Sequence, residues 1–173
     1  KLDETLWNGT AKEVLDSSGN SNHGAALNGL KTSTTTAKFG ASGFFDGKDD
    51  YLRIEDSNFL DADSGGISIE AWIKPTTTPQ IGYIVSKRNN ASPYDQWGML
   101  IADGTAAYQK GKKLVCTFGS TDLGANTFFH DVATVSDVAN GSWRHVVCRV
   151  NYGLGIDIFQ FISNGEEIYY VSD

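Results

Sequence analysis

Between positions 67 and 74 the chain alternates with a period of two and no exception. Ile67, Ile69, Ala71 and Ile73 fall on one face; Ser68, Glu70, Trp72 and Lys74 fall on the other. A strand built this way has one side to bury, so it requires neighbours that also expose an apolar face. No window of about 11 residues shows sustained helical periodicity. Short strand-like runs recur instead, broken by Gly, Asn, Asp and Ser: 37–45, 51–54, 82–86, 97–102, 113–118, 143–150 and 156–163. Glycine outnumbers proline 19 to 3, which suits many tight turns. These features predict an all-β, two-sheet antiparallel sandwich. With 173 residues and neither an internal repeat nor a linker-like stretch, the expectation is one domain over 1–173.

Composition removes several function classes. The formal net charge is -7, whereas proteins that bind a phosphate backbone carry a basic face, so no nucleic-acid partner is expected. No run of about 18 apolar residues is present, so no membrane insertion is expected. The first residue is Lys1, which leads to the expectation of a processed chain or a module from something longer. Cys116 and Cys148 allow one disulfide. Buried free thiols are the simpler expectation, with Cys148 in phase with Val146 and Val150 on a core-facing side. Asn8, Asn90 and Asn140 each open an Asn-X-Ser/Thr sequon. Chance alone supplies about two in a chain this rich in Ser, Thr and Asn, so the three are a weak sign of a glycosylating pathway.

Four segments carry candidate chemistry. The first, Leu15-Asp16-Ser17-Ser18-Gly19-Asn20-Ser21-Asn22-His23-Gly24, is crowded with hard oxygen donors. Calcium takes six to eight such ligands, and Asp16, Asn20 and Asn22 offer a carboxylate and two amide oxygens. The alternative is an Asx-type turn satisfied by its own backbone. The second is Phe45-Asp46-Gly47-Lys48-Asp49-Asp50-Tyr51-Leu52, an acidic turn entering a strand. The third is the strand at 67–74 followed by Pro75; Glu70 and Trp72 share its polar face, with a ring packed beneath a covering loop as the preferred reading of Trp72. The fourth, Trp143-Arg144-His145-Val146-Val147, follows the Asn140-Gly141 turn; Trp143 has the same structural lean. His145 reads as a strand residue satisfied locally.

In this order and spacing the four segments resemble the laminin G-like family of concanavalin A-type jelly rolls, from Leu2 to about Gly165. The resemblance implies a module for calcium-supported binding outside the cytoplasm, in a secreted, cell-surface or virion-surface protein. It implies a structural Ca2+ ion held between the 16–24 loop and the acidic turn, with Asp46, Asp49 and Asp50 joining Asp16, Asn20 and Asn22. Members of the family continue past the turn that Asn164-Gly165 matches with another strand or two. The expectation is therefore a sandwich short of one or two closing strands, its open C-terminal edge supplied by a protein partner or by further sequence, or left blunted.

The segment 87–97 is the leading recognition loop, in which Arg88, Asn90, Tyr94, Asp95 and Trp97 combine flat aromatic rings with hydrogen-bonding groups suited to sugar hydroxyls. The alternative has Tyr94 and Trp97 folded back over the sandwich. Trp7 and the Phe128-Phe129-His130-Asp131 segment are further aromatic turn or loop candidates. Catalysis finds little support. Glycosidases on this fold need paired carboxylates, and the 67–74 strand offers Glu70 alone. No Gly-X-Ser-X-Gly elbow occurs, and His23, His130 and His145 lack zinc-ligand spacing. The reading is a non-catalytic binding or adhesion module with a glycan or glycosylated surface as leading partner. The alternative is an assembly module making protein–protein contacts.

Overall fold

The structure, a computed structural model, describes residues 4, 6–61, 66–77, 81–88, 95–102, 111–121, 127–134, 136–151, 158–163, and 166–172. The chain forms two compact units, Lys1–Leu60 and Asp61–Asp173. Both are built from antiparallel strands, and the described residues contain no α-helix, as the alternation predicts.

In the first unit, β1 (Gly24–Leu27) pairs with β4 (Tyr51–Ile54), and β2 (Lys31–Ser33) pairs with β3 (Ser42–Phe44). Trp7, Val14, Ala26 and Leu30 form its core, with Leu52 packed against them. Trp7 is thus a core residue, its indole N–H donating to Glu4. The β1-to-β2 connection turns through Asn28 and Gly29, both at positive φ (58° and 99°), and the Leu30 N–H closes it onto the Leu27 carbonyl. Two consecutive left-handed residues are what an Asn-Gly pair adopts most readily. A Cβ at Gly24 would lie 2.8 Å from the tip of the Leu52 side chain and 3.1 Å from the Arg53 carbonyl, so a larger residue there requires both neighbours to shift. The first two strands escaped sequence reading because each is too short to show a period.

The second unit contains two four-stranded sheets. One has the order β12-β11-β10-β5, using β5 (Ile67–Ile73), β10 (Arg144–Asn151), β11 (Ile158–Ser163) and β12 (Glu166–Ser172). The other is the meander β6-β7-β8-β9, using β6 (Gly82–Arg88), β7 (Asp95–Ile101), β8 (Leu114–Thr121) and β9 (Thr127–Ala133). Met99, Leu100, Leu114, Val115, Val138 and Val146 are fully buried here. The expected alternation of β5 is present, with its Ile and Ala positions half-buried and Ser68, Glu70 and Trp72 exposed. Residues 128–131 lie in β9, not in a loop: the Thr-Phe-Phe start has strong strand propensity, and pairing with β8 carries His130 and Asp131 along. The recognition segment is also shorter than expected, since β6 runs to Arg88 and β7 starts at Asp95.

Cys116 and Cys148 are joined in a disulfide, correcting the expectation of free thiols. Cys116 lies on β8, between β7 and β9, and Cys148 on β10, between β11 and β5. The bond therefore ties the inner strands of the two sheets through the core, where both residues are buried. Sequence spacing gave no sign of it, because the two strands meet across sheets. With a sequence separation of 32, closing this loop in the unfolded chain stabilises the fold by about 3–4 kcal/mol in the chain-entropy view. The double variant Cys116→Ala/Cys148→Ala is expected to melt roughly 10 °C lower than the wild type in calorimetry. The wild type should show no titratable thiol until it is both unfolded and reduced.

Candidate functional site

The acidic turn ahead of β4 places Asp46, Asp49 and Asp50 so that one carboxylate oxygen from each lies within 4.8 Å of the others. The turn is organised by its own hydrogen bonds. The Asp46 N–H donates to Asp50 Oδ2 (2.9 Å) and the Lys48 N–H to Asp46 Oδ1 (2.8 Å). Asn28 Nδ2 donates to the Asp49 carbonyl (3.0 Å), which holds this turn beside the β1-to-β2 turn. Three carboxylates this close repel one another, and a hard cation with oxygen preference is the chemistry such a set fits.

The oxygen-rich loop lies at the other end of the β1–β4 pair, ahead of Gly24, which pairs with Ile54, whereas the acidic turn enters β4 beside Leu27. The loop is therefore not joined to the turn, contrary to the expectation, and it is engaged differently. Asp16 Oδ1 accepts from the Ser18 N–H (2.8 Å), and Oδ2 accepts from the Ser18 hydroxyl (2.8 Å) and the Asn22 N–H (2.9 Å). The Ser18 N–H is the largest influence, and together these donors hold the Asp16 carboxyl below its ordinary value of 3.8. The Asp16 N–H donates in turn to His23 Nδ1 (2.9 Å), and the Asn20 N–H to Ser18 Oγ. Asp16 thus closes an Asx-type turn onto Ser18, which Asn20 and Asn22 join through their backbone N–H groups, and among the described residues the three-carboxylate group does not include Asp16.

Glu13 plays a related part. Burial pushes its carboxyl up, but N–H groups of Asn8 (2.6 Å), Gly9 (2.8 Å) and Ala26 (3.3 Å) outweigh that and leave it below its ordinary value. Glu4 similarly accepts from the Leu15 N–H.

The outer face of β5 and β10 carries the second candidate site. In the antiparallel register Trp72 lies opposite His145, Glu70 opposite Val147, and Ser68 opposite Arg149. The Trp72 and His145 rings stack, with centroids 5.3 Å apart and planes 29° apart. His145 Nε2 lies 3.4 Å from Glu70 Oε2 on the diagonal. Trp72 is 42% exposed and the Glu70 side chain 73%. The ring is therefore open, contrary to the covered reading preferred from sequence. The reason is the register: His145 supports one face of the indole, so no loop is needed to hold it. His145 itself is satisfied locally, as expected. Only strand pairing could reveal the triad, since 73 residues separate Trp72 from His145.

In the recognition segment, Arg88 and Asp95 occupy partnered register positions at the ends of β6 and β7. Asn90 and Tyr94 lie outside the described residues. Trp97 sits within β7 opposite Phe118 and Lys87 and is 7% exposed, so its ring packs into the interior.

No helix of the described residues is long and apolar enough to cross a membrane. A laminin G-type family model, described as the concanavalin A-like lectin/glucanases superfamily, matches residues 46–170. No curated protein and no solved structure matches the chain.

Because the folded Asp16 carboxyl lies below 3.8, it adds stability at neutral pH that is lost as pH falls through the folded value. Asp16→Asn is expected to lower Tm at pH 7, and the difference from the wild type should close in melts recorded at successively lower pH below 3.8.

Proposed function

The chain belongs to the laminin G-type family of the concanavalin A-like lectin/glucanase superfamily, and on that footing we propose a non-catalytic extracellular module that binds glycans on the outer face of β5 and β10. The single observation behind this reading is the exposed indole of Trp72, stacked on His145 and flanked by Glu70. A part-exposed ring stacked on its cross-strand neighbour can offer its exposed surface to the C–H patch of a sugar and loses little rotamer freedom on binding. Glu70 supplies an acceptor for hydroxyl groups at the platform's edge, while Ser68 and Arg149 offer donors in the next exposed row.

The same face supports a binding role over a hydrolytic one. Glycoside hydrolysis uses two carboxyl groups about 5–5.5 or 6.5–9.5 Å apart around the scissile bond. The outward positions of β5 and β10 are Ser68, Glu70, Trp72, His145, Val147 and Arg149, which include one carboxylate, already beside His145. Secretion is supported by the Cys116–Cys148 bond, since structural disulfides persist in oxidising compartments.

A calcium ion forms part of the proposal, with Asp46, Asp49 and Asp50 as its side-chain ligands. Its role there is charge neutralisation of the turn, and no binding step passes through it. Asp16, Asn20 and Asn22 take no part in it; they shape their own loop at the other end of β1.

A second reading, a module that meets another protein, is favoured by a different observation. Phe39, Phe44 and Phe45 are 67%, 55% and 49% exposed around β3. A concentration-dependent mass in light scattering that Phe44→Ser removes would support it.

Two outcomes are expected. Against a panel of immobilised glycans, Trp72→Ala should weaken every binding signal at least tenfold, about 1.4 kcal/mol, with Tm unchanged; an unaltered glycan profile removes Trp72 from the site. Calcium should raise Tm in thermal melts, and Asp46→Asn/Asp49→Asn should abolish the rise, because a ligand that binds only the folded state stabilises it by mass action.

A further inference from the structure

Two of the three sequons share a local geometry that neither glycan recognition nor calcium binding uses. Asn8 Oδ1 accepts hydrogen bonds from both the N–H (3.0 Å) and the hydroxyl of Thr10. Asn140 Oδ1 accepts from the Ser142 N–H (3.1 Å). Each asparagine therefore closes an Asx turn over its own sequon. The middle residue is glycine at positive φ in both, 88° at Gly9 and 78° at Gly141. Both asparagines are exposed. With Oδ1 drawn onto the backbone, Nδ2 is the outward atom, and among the described residues nothing accepts a hydrogen bond from it in either case.

Each turn is also anchored from behind. The Asn8 and Gly9 N–H groups donate to Glu13. The Gly141 N–H donates to the Pro75 carbonyl (3.0 Å), clamping the 140–142 turn onto the chain leaving β5. A substituent on Nδ2 would extend into solvent without displacing any of these contacts.

We infer that Asn8 and Asn140 are acceptor sites for N-linked glycans. Transfer would join Nδ2 to the anomeric carbon of an oligosaccharide carried on a lipid diphosphate. The anomeric C–O bond to phosphate breaks, the lipid diphosphate leaves with that electron pair, and the Nδ2 proton passes to a base of the transferase. The inference shares with the proposed function its secretory setting, which the buried disulfide supports. It is independent of what the Trp72 face binds.

The test is cell-free translation of the full chain behind a secretory leader, with microsomes, in an Asn90→Gln background that silences the third sequon. Two mobility steps removable by an endoglycosidase are expected. Thr10→Ala and Ser142→Ala should each remove one step, and amidase treatment should leave Asp at positions 8 and 140 in peptide mass spectra. A chain that acquires fewer than two glycans overturns the inference. Alkylation of the same product reads the secretory setting separately: free Cys116 and Cys148 on a glycosylated chain would count against the disulfide, while an oxidised, unglycosylated chain would sink the acceptor assignment alone.

Discussion

The second unit depends on one junction, where the inner strand β8 of one sheet meets the inner strand β10 of the other. Cys116 and Cys148 are covalently joined there, amid the fully buried Met99, Leu114 and Val146. Hydrophobic burial gives this junction its free energy, and the disulfide restricts the unfolded chain so that less entropy is lost on folding. Fixing β10 also fixes β5, which pairs with it over seven residues from Ile67 to Ile73. The outward rows of that pair are consequences. Once Cys148 and Val146 point into the core, His145 and Val147 must point out, and β5 must turn Glu70 and Trp72 to the same side.

The first unit is stabilised by different means. Its core is small, centred on Trp7, Val14, Ala26 and Leu30, and its loops are long for their strands. Backbone donors in those loops are met by carboxylates: Glu4 for Leu15, Glu13 for Asn8, Gly9 and Ala26, Asp16 for Ser18 and Asn22. An ionised acceptor makes a stronger hydrogen bond than a neutral one. Part of the chain's acidity is therefore structural. The acidic turn at 46–50 differs, in that three side chains converge and leave negative charge concentrated.

The proposed binding on a sheet face rests on how the Trp72 ring is held. A tryptophan that is part exposed and backed by a second ring is ordered before any ligand arrives. Trp97 and Trp7 show the contrasting case, in which the same residue type is spent on the core. Aromatic content alone does not separate the two uses.

Sequence by itself determined the fold class and the acidic turn. Strict alternation at 67–73 has one solution, a strand buried on one side, and the match over residues 46–170 agrees with the resemblance carried by the turn and strand motifs. It also marked Asp46, Asp49 and Asp50, because residues within one turn are near each other in any compact fold. Tertiary structure decided the rest. The disulfide, the burial of Trp97, the strand at 128–131 and the stacking of His145 on Trp72 all depend on contacts between residues distant in the chain. Local propensity encodes which residues extend and which turn; which extended segments become neighbours is set by packing, and packing assigned each tryptophan its role.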